Sequence, residues 1–176
     1  MGDFLTDVKT LRERARQQIE QGPITDAYGA DRQRVIQVLN EALATELVCI
    51  LRYKRHYFTA KGQNATSAAA EFLEHANDET LHADQIAARI TILQGQPDFN
   101  PDTLTHRSHA EYSEGNTIAE MAKEDLIAER VAIASYQEVI SWLGDGDPVT
   151  RKMLEDILAV EEEHANDMLG LLEELR

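Results

Sequence analysis

Two copies of one pattern of acidic residues and histidines divide the chain. Glu46 is followed 33 residues later by Glu79-Thr80-Leu81-His82, and Glu129 is followed 32 residues later by Glu161-Glu162-Glu163-His164. On a helix, side chains three residues apart project from one face about 5 to 6 Å apart, so each Glu-x-x-His pair can bind one metal ion. Four carboxylates and two imidazoles are enough for two ions, and oxygen-rich ligation with one nitrogen per ion suits iron or manganese. The candidate metal ligands are therefore Glu46, Glu79, His82, Glu129, Glu161 and His164.

Each candidate ligand lies in a long segment in which apolar residues recur every three or four positions, as on the buried face of a helix. The predicted long helices run from the N-cap Asp31 to about Thr59, over about 66–94, over about 117–143, and from the N-cap Asp147 almost to the C-terminus. A shorter amphipathic helix is predicted at about 4–21, and Gly95 is predicted to cap the 66–94 helix. The ligands occupy positions of the apolar stripes, where a charge without a partner is strongly disfavoured.

The connections between the long helices differ in length. Short turns join the first pair and the last pair, whereas residues 96–116 contain Pro97 and Pro101 and show no periodicity. A connection this long can span a bundle, so that the third helix starts beside the second and runs parallel to it. We therefore predict an all-α four-helix bundle with a long crossover between its second and third helices and an extra N-terminal helix. Residues 1–30 would be the N-terminal helix and linker, and residues 31–176 the bundle.

Composition limits the classes of function. The net charge of -15 argues against a general binder of nucleic acids or anionic membranes, which would need clusters of Lys and Arg. No apolar run approaches the about 18 to 20 residues that cross a bilayer, and the N-terminus lacks an apolar signal region, so a cytoplasmic protein is expected. Cys49 is the only cysteine, which excludes an intrachain disulfide and a Cys-rich zinc site.

Three segments resemble bacterioferritin, and the resemblance covers roughly residues 31–174. They are Glu46-Leu47-Val48 to Tyr53, Asp78-Glu79 to His82-Ala83-Asp84, and Glu161 to His164. The resemblance implies a ferritin-like fold and a dinuclear ferroxidase centre that holds two iron ions per chain, with manganese or zinc able to occupy it in vitro. It also implies that Glu79 and Glu161 bridge the two ions. Tyr53 aligns with a tyrosine near that family's centre, where it would supply a hydrogen bond or an electron, or serve only as a core aromatic.

Three departures from bacterioferritin modify these expectations. The haem-ligating Met of that family is Thr80 here, so no haem is expected. The sequence ends with the fourth bundle helix, without the short fifth helix that lines a channel in ferritin 24-mers, and it has an N-terminal helix of its own. A Dps-like dodecameric shell is therefore favoured over a 24-mer. Residues 1–20 carry four basic and four acidic side chains, so DNA binding is not expected.

The leading hypothesis is a ferroxidase that oxidises Fe(II) with oxygen or hydrogen peroxide and stores the mineral in a homo-oligomeric shell. One alternative is a di-iron or di-manganese peroxidase or oxidase without mineral storage, although the sequence lacks the Cys-x-x-Cys segment of a rubredoxin module. Another is a structural or DNA-compacting shell with a vestigial site. Glu74, His75 and Asp78 form either an outer relay for iron or a solvated acidic face. His56 is predicted to lie on a surface or an interface.

Overall fold

The computed structural model describes residues 6–175, and within this range it consists of helices and loops without a strand. The helices are α1 (Val8–Gln17), α2 (Arg32–Thr59), α3 (Ala65–Ile92), α4 (Leu104–Arg107), α5 (Ile118–Leu143) and α6 (Pro148–Glu174). Short 3-10 turns occur at Ile19–Gln21 and Pro101–Thr103. The four long helices α2, α3, α5 and α6 agree with the predicted segments within two residues at their starts and ends.

Side-chain caps define where three of the long helices begin. The carboxylate of Asp31 accepts a hydrogen bond from the amide of Arg34, and that of Asp147 accepts one from the amide of Thr150. The hydroxyl of Thr117 caps α5 in the same way. Each cap satisfies one of the amides that a helix start leaves without an intrahelical partner. The predicted N-caps Asp31 and Asp147 are confirmed.

The directions of the four long helices follow from the contacts between them. Tyr53 of α2 meets Glu129 of α5, and Glu46 meets Tyr136, so α2 and α5 are antiparallel. A short turn makes α2 and α3 antiparallel as well, because residues 60–64 alone connect them. Since α3 and α5 both run opposite to α2, they are parallel, and the crossover spans the length of the bundle. The predicted all-α bundle with a long crossover is confirmed.

The crossover contains local structure that its lack of periodicity concealed. The one-turn helix α4 forms because Leu104 is buried against α2, in a small cluster with Ala44 and Val48. The guanidinium of Arg107 donates to the carbonyl oxygen of Asn40, and the Asn40 side chain accepts from the amide of Asp98. These contacts attach the crossover to α2, which explains how so long a connection is held in one conformation.

The end of α3 differs from the prediction. Gln94, at φ 62°, takes the left-handed conformation, and Gly95 follows it. The amide of Gly95 donates to the carbonyl of Ile90 at 2.9 Å, which completes a Schellman-type end. Glycine is required at position 95 for a different reason, because a Cβ there would lie 2.7 Å from the Cγ2 atom of Ile36 on α2. Because Gly95 has no side chain, the backbone after α3 can pack closely against Ile36 of α2.

The N-terminal helix is shorter than predicted. Of the predicted helix at 4–21, residues 4 and 5 lie outside the described residues, and α1 begins after its N-cap Asp7. None of the ten residues of α1 is buried, whereas Ile24 and Tyr28 in the following linker pack against the bundle core. The division into residues 1–30 and 31–176 stays a prediction. Among residues 6–175, no helix combines the length and the hydropathy that a membrane span would need.

A buried ion pair holds the start of α6, and its loss should destabilise the bundle. Asp147 is buried and accepts hydrogen bonds from Arg89 at 2.8 and 3.0 Å and from Tyr28 at 3.0 Å, in addition to its capping contacts. Replacing Asp147 with Asn leaves the buried Arg89 guanidinium without its counter-charge. We expect the free energy of unfolding to fall by about 3 kcal/mol in urea denaturation. Asp145→Asn is the matched control, since Asp145 is exposed and pairs only with Arg151; an equal effect of both changes would contradict this role of Asp147.

Candidate metal centre

The structure brings all six predicted ligands together at the middle of the bundle. Each is at most 4% exposed, and α2, α3, α5 and α6 all contribute. The ligand atoms form two overlapping sets, in each of which they lie within 4.8 Å of one another. The first set is Glu46, Glu79, His82 and Glu161, and the second is Glu79, Glu129, Glu161 and His164. Glu79 and Glu161 belong to both sets, as a pair of bridging carboxylates would.

The site divides the apolar core in two. One apolar cluster lies toward the α5–α6 turn and includes Leu39, Ile90 and Ile157, and the other lies toward the α2–α3 turn and includes Phe72 and Met168. The six polar ligands occupy the layer between these clusters. Packing on both sides therefore fixes the helix backbones from which the ligands project.

The distances within the two sets fit metal coordination. His82 Nδ1 lies 3.4 Å from Glu46 Oε2, 3.3 Å from Glu79 Oε2 and 3.1 Å from Glu161 Oε1. His164 Nδ1 lies 3.9 Å from Glu79 Oε1 and 3.6 Å from Glu161 Oε2. Two ligand atoms that are each about 2.1 Å from a tetrahedral ion are about 3.4 Å apart. Only small side-chain movements would be needed for an ion at the centre of each set.

Several buried atoms of the site are without hydrogen bonds. Within residues 6–175, Glu46 Oε2, both carboxylate oxygens of Glu161, and His164 Nδ1 are fully buried and have no hydrogen-bond partner. A buried polar atom without a partner costs about 1 to 3 kcal/mol, and more when it is charged. Four such atoms within the two ligand sets are better satisfied by cations than by packing, so the residues present fit a two-metal site.

The pKa shifts of the ligand side chains indicate that several of them hold protons when no metal is bound. Burial and repulsion by neighbouring carboxylates raise the pKa of Glu79, Glu129 and Glu161. Burial alone would lower the pKa of His82, but its contacts with Glu161 and Glu46 outweigh it and raise that pKa to about 10. Without metal the site therefore retains protons, and cations that bind there would release them.

Two buried tyrosines hold the outer carboxylates. The hydroxyl of Tyr53 donates to Glu129, and the hydroxyl of Tyr136 donates to Glu46. Each tyrosine follows the glutamate of its own helix by seven residues and hydrogen-bonds to the glutamate of the other helix. Tyr53 is among the site residues expected from the sequence, whereas Tyr136 is not. The repeated Glu-x6-Tyr spacing at 46/53 and 129/136 is the sequence signal that would have identified it.

The three residues that precede Glu79 in the predicted relay have different environments. Glu74 is exposed. Asp78 Oδ2 lies 3.4 Å from His164 Nε2, so it can hold that ring with its Nδ1 toward the carboxylates. His75 is buried, stacks on His164 at 3.9 Å between ring centroids, and has its Nδ1 3.2 Å from the Tyr53 hydroxyl. Burial, and then the charge of His164, lower the pKa of His75 to about 3, so its ring is neutral at physiological pH.

The prediction for His56 is wrong. The residue is buried, and its Nδ1 lies 2.8 Å from Asp125 Oδ2, while Arg52 Nε donates to Asp125 Oδ1 at 2.7 Å. Arg52 also donates to the carbonyl oxygen of Glu111, and His56 Nε2 lies 3.1 Å from that of Ser113. This network joins α2, α5 and the end of the crossover. Its centre, Asp125, lies about one helical turn before Glu129 in α5.

Sequence comparisons show which family the chain belongs to. The family model described as a ferritin-like domain matches residues 36–176. A bacterioferritin of Rhodobacter capsulatus is 31% identical over 135 residues, which are 76% of this chain and 79% of the relative.

Two solved structures have the same fold. The dodecameric thioferritin of Bacteroides fragilis, a bacterioferritin-related protein, superposes with a TM-score of 0.80 at 30% identity and covers 84% of this chain and 89% of its own. Dps from Staphylococcus aureus superposes with a TM-score of 0.77 at 21% identity, over 81% of this chain and 97% of its own, which supports the fold alone. The resemblance to bacterioferritin is confirmed, and the chain belongs to the ferritin-like domain family.

Proposed function

We propose that this protein is a ferroxidase that oxidises Fe(II) to Fe(III) at the six-residue centre and stores the product as a mineral in a hollow shell. The observation that carries the proposal is the pair of overlapping ligand sets with two shared glutamates in the middle of the bundle. Membership of a family that contains bacterioferritins supports iron as the metal.

Each ligand has a distinct role in this proposal. Glu46 and His82 bind one Fe(II) and Glu129 and His164 bind the other, while the shared carboxylates Glu79 and Glu161 bridge them. The proposed catalytic residues are these six ligands, Glu46, Glu79, His82, Glu129, Glu161 and His164, together with Tyr53. Four carboxylates balance the charge of two divalent ions, and hard oxygen ligands favour the Fe(III) product.

The chain contributes positioning and proton transfer to the reaction. Binding of two Fe(II) ions displaces protons held by His82 and by the glutamates whose pKa is raised, Glu79, Glu129 and Glu161. Each ion then loses one electron, and the two electrons reduce hydrogen peroxide with two protons to two water molecules, or oxygen with two protons to one hydrogen peroxide. The hydroxyls of Tyr53 and Tyr136 orient the outer carboxylates through their hydrogen bonds. Because both electrons are delivered within one site, the oxidant avoids a one-electron radical stage.

We propose a homo-oligomeric shell, with a dodecamer favoured over a 24-mer. The dodecameric state of the related Bacteroides fragilis protein supports this choice. We also propose that the protein works without haem, since Thr80 stands where bacterioferritin has its haem-ligating Met. The excess of acidic side chains supports cations over DNA as the ligand.

Removal of a ligand should slow iron oxidation. We expect Glu129→Ala and His164→Ala to reduce the initial rate of aerobic Fe(II) oxidation by at least about 10-fold, because each leaves one half-site incomplete. The rate is followed by the near-ultraviolet absorbance of Fe(III), with circular dichroism as the test of folding. His106→Ala is the control, since His106 is exposed in α4 and distant in sequence from every ligand. Rates equal to that of the unaltered protein in folded variants would exclude the proposed centre.

Storage is separable from oxidation by counting iron. After aerobic addition of excess Fe(II) to the metal-free protein, we expect far more than two retained irons per chain and an electron-dense core in each particle. Light scattering on the same sample should show the mass of about twelve chains. Retention of only about two irons per chain would contradict storage and favour the alternative, a di-iron peroxidase or oxidase without a mineral.

Neutralising a bridging ligand should have opposite effects with and without metal. The folded-state pKa of Glu161 lies above the ordinary value of 4.5, so its carboxyl contributes less to stability as the pH rises above 4.5. We therefore expect Glu161→Gln to raise the unfolding temperature of the metal-free protein at pH 7.

The same change should remove most of the stabilisation that Mn(II) or Zn(II) confers. Differential scanning calorimetry with and without metal measures both effects. The matched control is Glu162→Gln, at an exposed position of the same helix. Equal metal stabilisation of the Glu161→Gln variant and the unaltered protein would contradict the role of Glu161.

A further inference from the structure

A second group of ligand-type side chains lies beside the dinuclear set, between α3 and α6. His75 Nε2 is 3.6 Å from Glu71 Oε1 and 3.6 Å from Asp167 Oδ2, and one ligand atom of each of the three residues lies within 4.8 Å of the others. The two carboxylates border a groove of about 320 Å³ that Ser67 and Glu174 also line. Their side chains are 38% and 44% exposed, so the group is open to solvent on one side and closed by His75 on the other.

The contact with the Tyr53 hydroxyl determines which nitrogen of His75 is left to face the carboxylates of Glu71 and Asp167. The Tyr53 hydroxyl donates its hydrogen to Glu129, so its oxygen can only accept from His75 Nδ1. Nδ1 therefore carries a hydrogen, and Nε2 is the nitrogen that faces the two carboxylates. This Nε2 atom is buried and has no hydrogen-bond partner among the described residues. It converges with two carboxylates, an arrangement of three electron-rich groups that a cation would stabilise.

The internal repeat of the ligand pattern does not account for this group. Glu79 and His82 correspond to Glu161 and His164, a shift of 82 residues along the chain. The same shift pairs Glu71, His75 and Asp167 with Met153, Ile157 and Gln85. None of these three counterparts carries a charge. The group therefore occurs in only one of the two repeated halves of the bundle. The other half has no charged residue at the corresponding positions.

We propose that Glu71, His75 and Asp167 form a third divalent-cation site, which binds Fe(II) between the α3–α6 groove and the dinuclear centre. The separations of 3.6 Å match ligands on one ion, with the exposed carboxylates free to adjust. The proposed site is adjacent to the dinuclear centre, because the ring of His75 stacks on the ring of the ligand His164. The choice of Fe(II) as the natural cation rests on the proposed ferroxidase function, whereas the ability of the three residues to bind a divalent ion does not.

Crystals soaked in Mn(II) test the site directly through anomalous scattering. We expect three peaks per chain in the unaltered protein, with the third bounded by Glu71, His75 Nε2 and Asp167. Asp167→Asn and Glu71→Gln should each remove the third peak and leave the other two. Both changed side chains are partly exposed, so neither should impair folding. Glu163→Gln, an exposed change on the same helix as Asp167, should retain all three peaks.

Two solution measurements complete the test. Anaerobic equilibrium dialysis with Fe(II) should show three ions per chain in the unaltered protein and two in the Asp167→Asn variant. Iron loading beyond the first two ions per chain should be slower in that variant, with oxidation of the first two unchanged. Two ions in both proteins, or a third peak that persists in both variants, would overturn the third site while leaving the dinuclear centre intact. Failure of the centre itself would instead appear as an unchanged ion count in the Glu129→Ala variant.

Discussion

The burial of four carboxylates around one axis is the constraint on which the rest of this structure depends. Each of the four glutamates is about 1% exposed, and charges that are removed from water without partners oppose folding by several kcal/mol each. Two histidines and two tyrosines satisfy part of this demand, and cations would satisfy the remainder. Apolar clusters lie on both sides of the polar layer, with Leu39 and Ile157 on one side and Phe72 on the other. Their packing offsets the unfavourable free energy of burying the carboxylates.

The hydrogen bonds from the tyrosines make the site depend on the register of α2 against α5. Tyr53 and Glu46 are on α2, and their partners Glu129 and Tyr136 are on α5, so the two bonds cross between the helices in opposite directions. A shift of one helix by a single turn, about 5.4 Å, would break both at once. The buried Asp125, which binds Arg52 and His56 of α2, reinforces the same register. Helix packing and ligand geometry are thus fixed by one set of contacts.

The sequence predicts the helices and the ligands well, because both are encoded by local spacing. Apolar periodicity and the caps Asp31 and Asp147 define the helices, and the nearly equal spacing in the two copies of the Glu…Glu-x-x-His pattern identifies all six residues that meet. Contacts between helices are harder to predict, because they depend on how each helix is rotated. His56 lies in the basic run Arg52-x-Lys54-Arg55-His56, which suggested a surface. Of the four basic residues in this run, only Arg52 and His56 are buried, and Asp125 binds both.

The internal repeat explains why the two halves of the centre are nearly symmetrical. Positions at which the two copies of the repeat differ show where this symmetry is lost. An isolated dinuclear site would need only the residues that the two halves share. On the side of His164, however, the ligand ring stacks on His75, which lies 3.6 Å from two carboxylates at the border of a groove. The position that corresponds to His75 on the other side is the buried Ile157 in an apolar cluster. A buried histidine whose Nε2 atom has no hydrogen-bond partner opposes folding, while an isoleucine at the same place would stabilise it. A polar residue kept at that cost, beside two carboxylates and on one side only, supports the proposed third cation site.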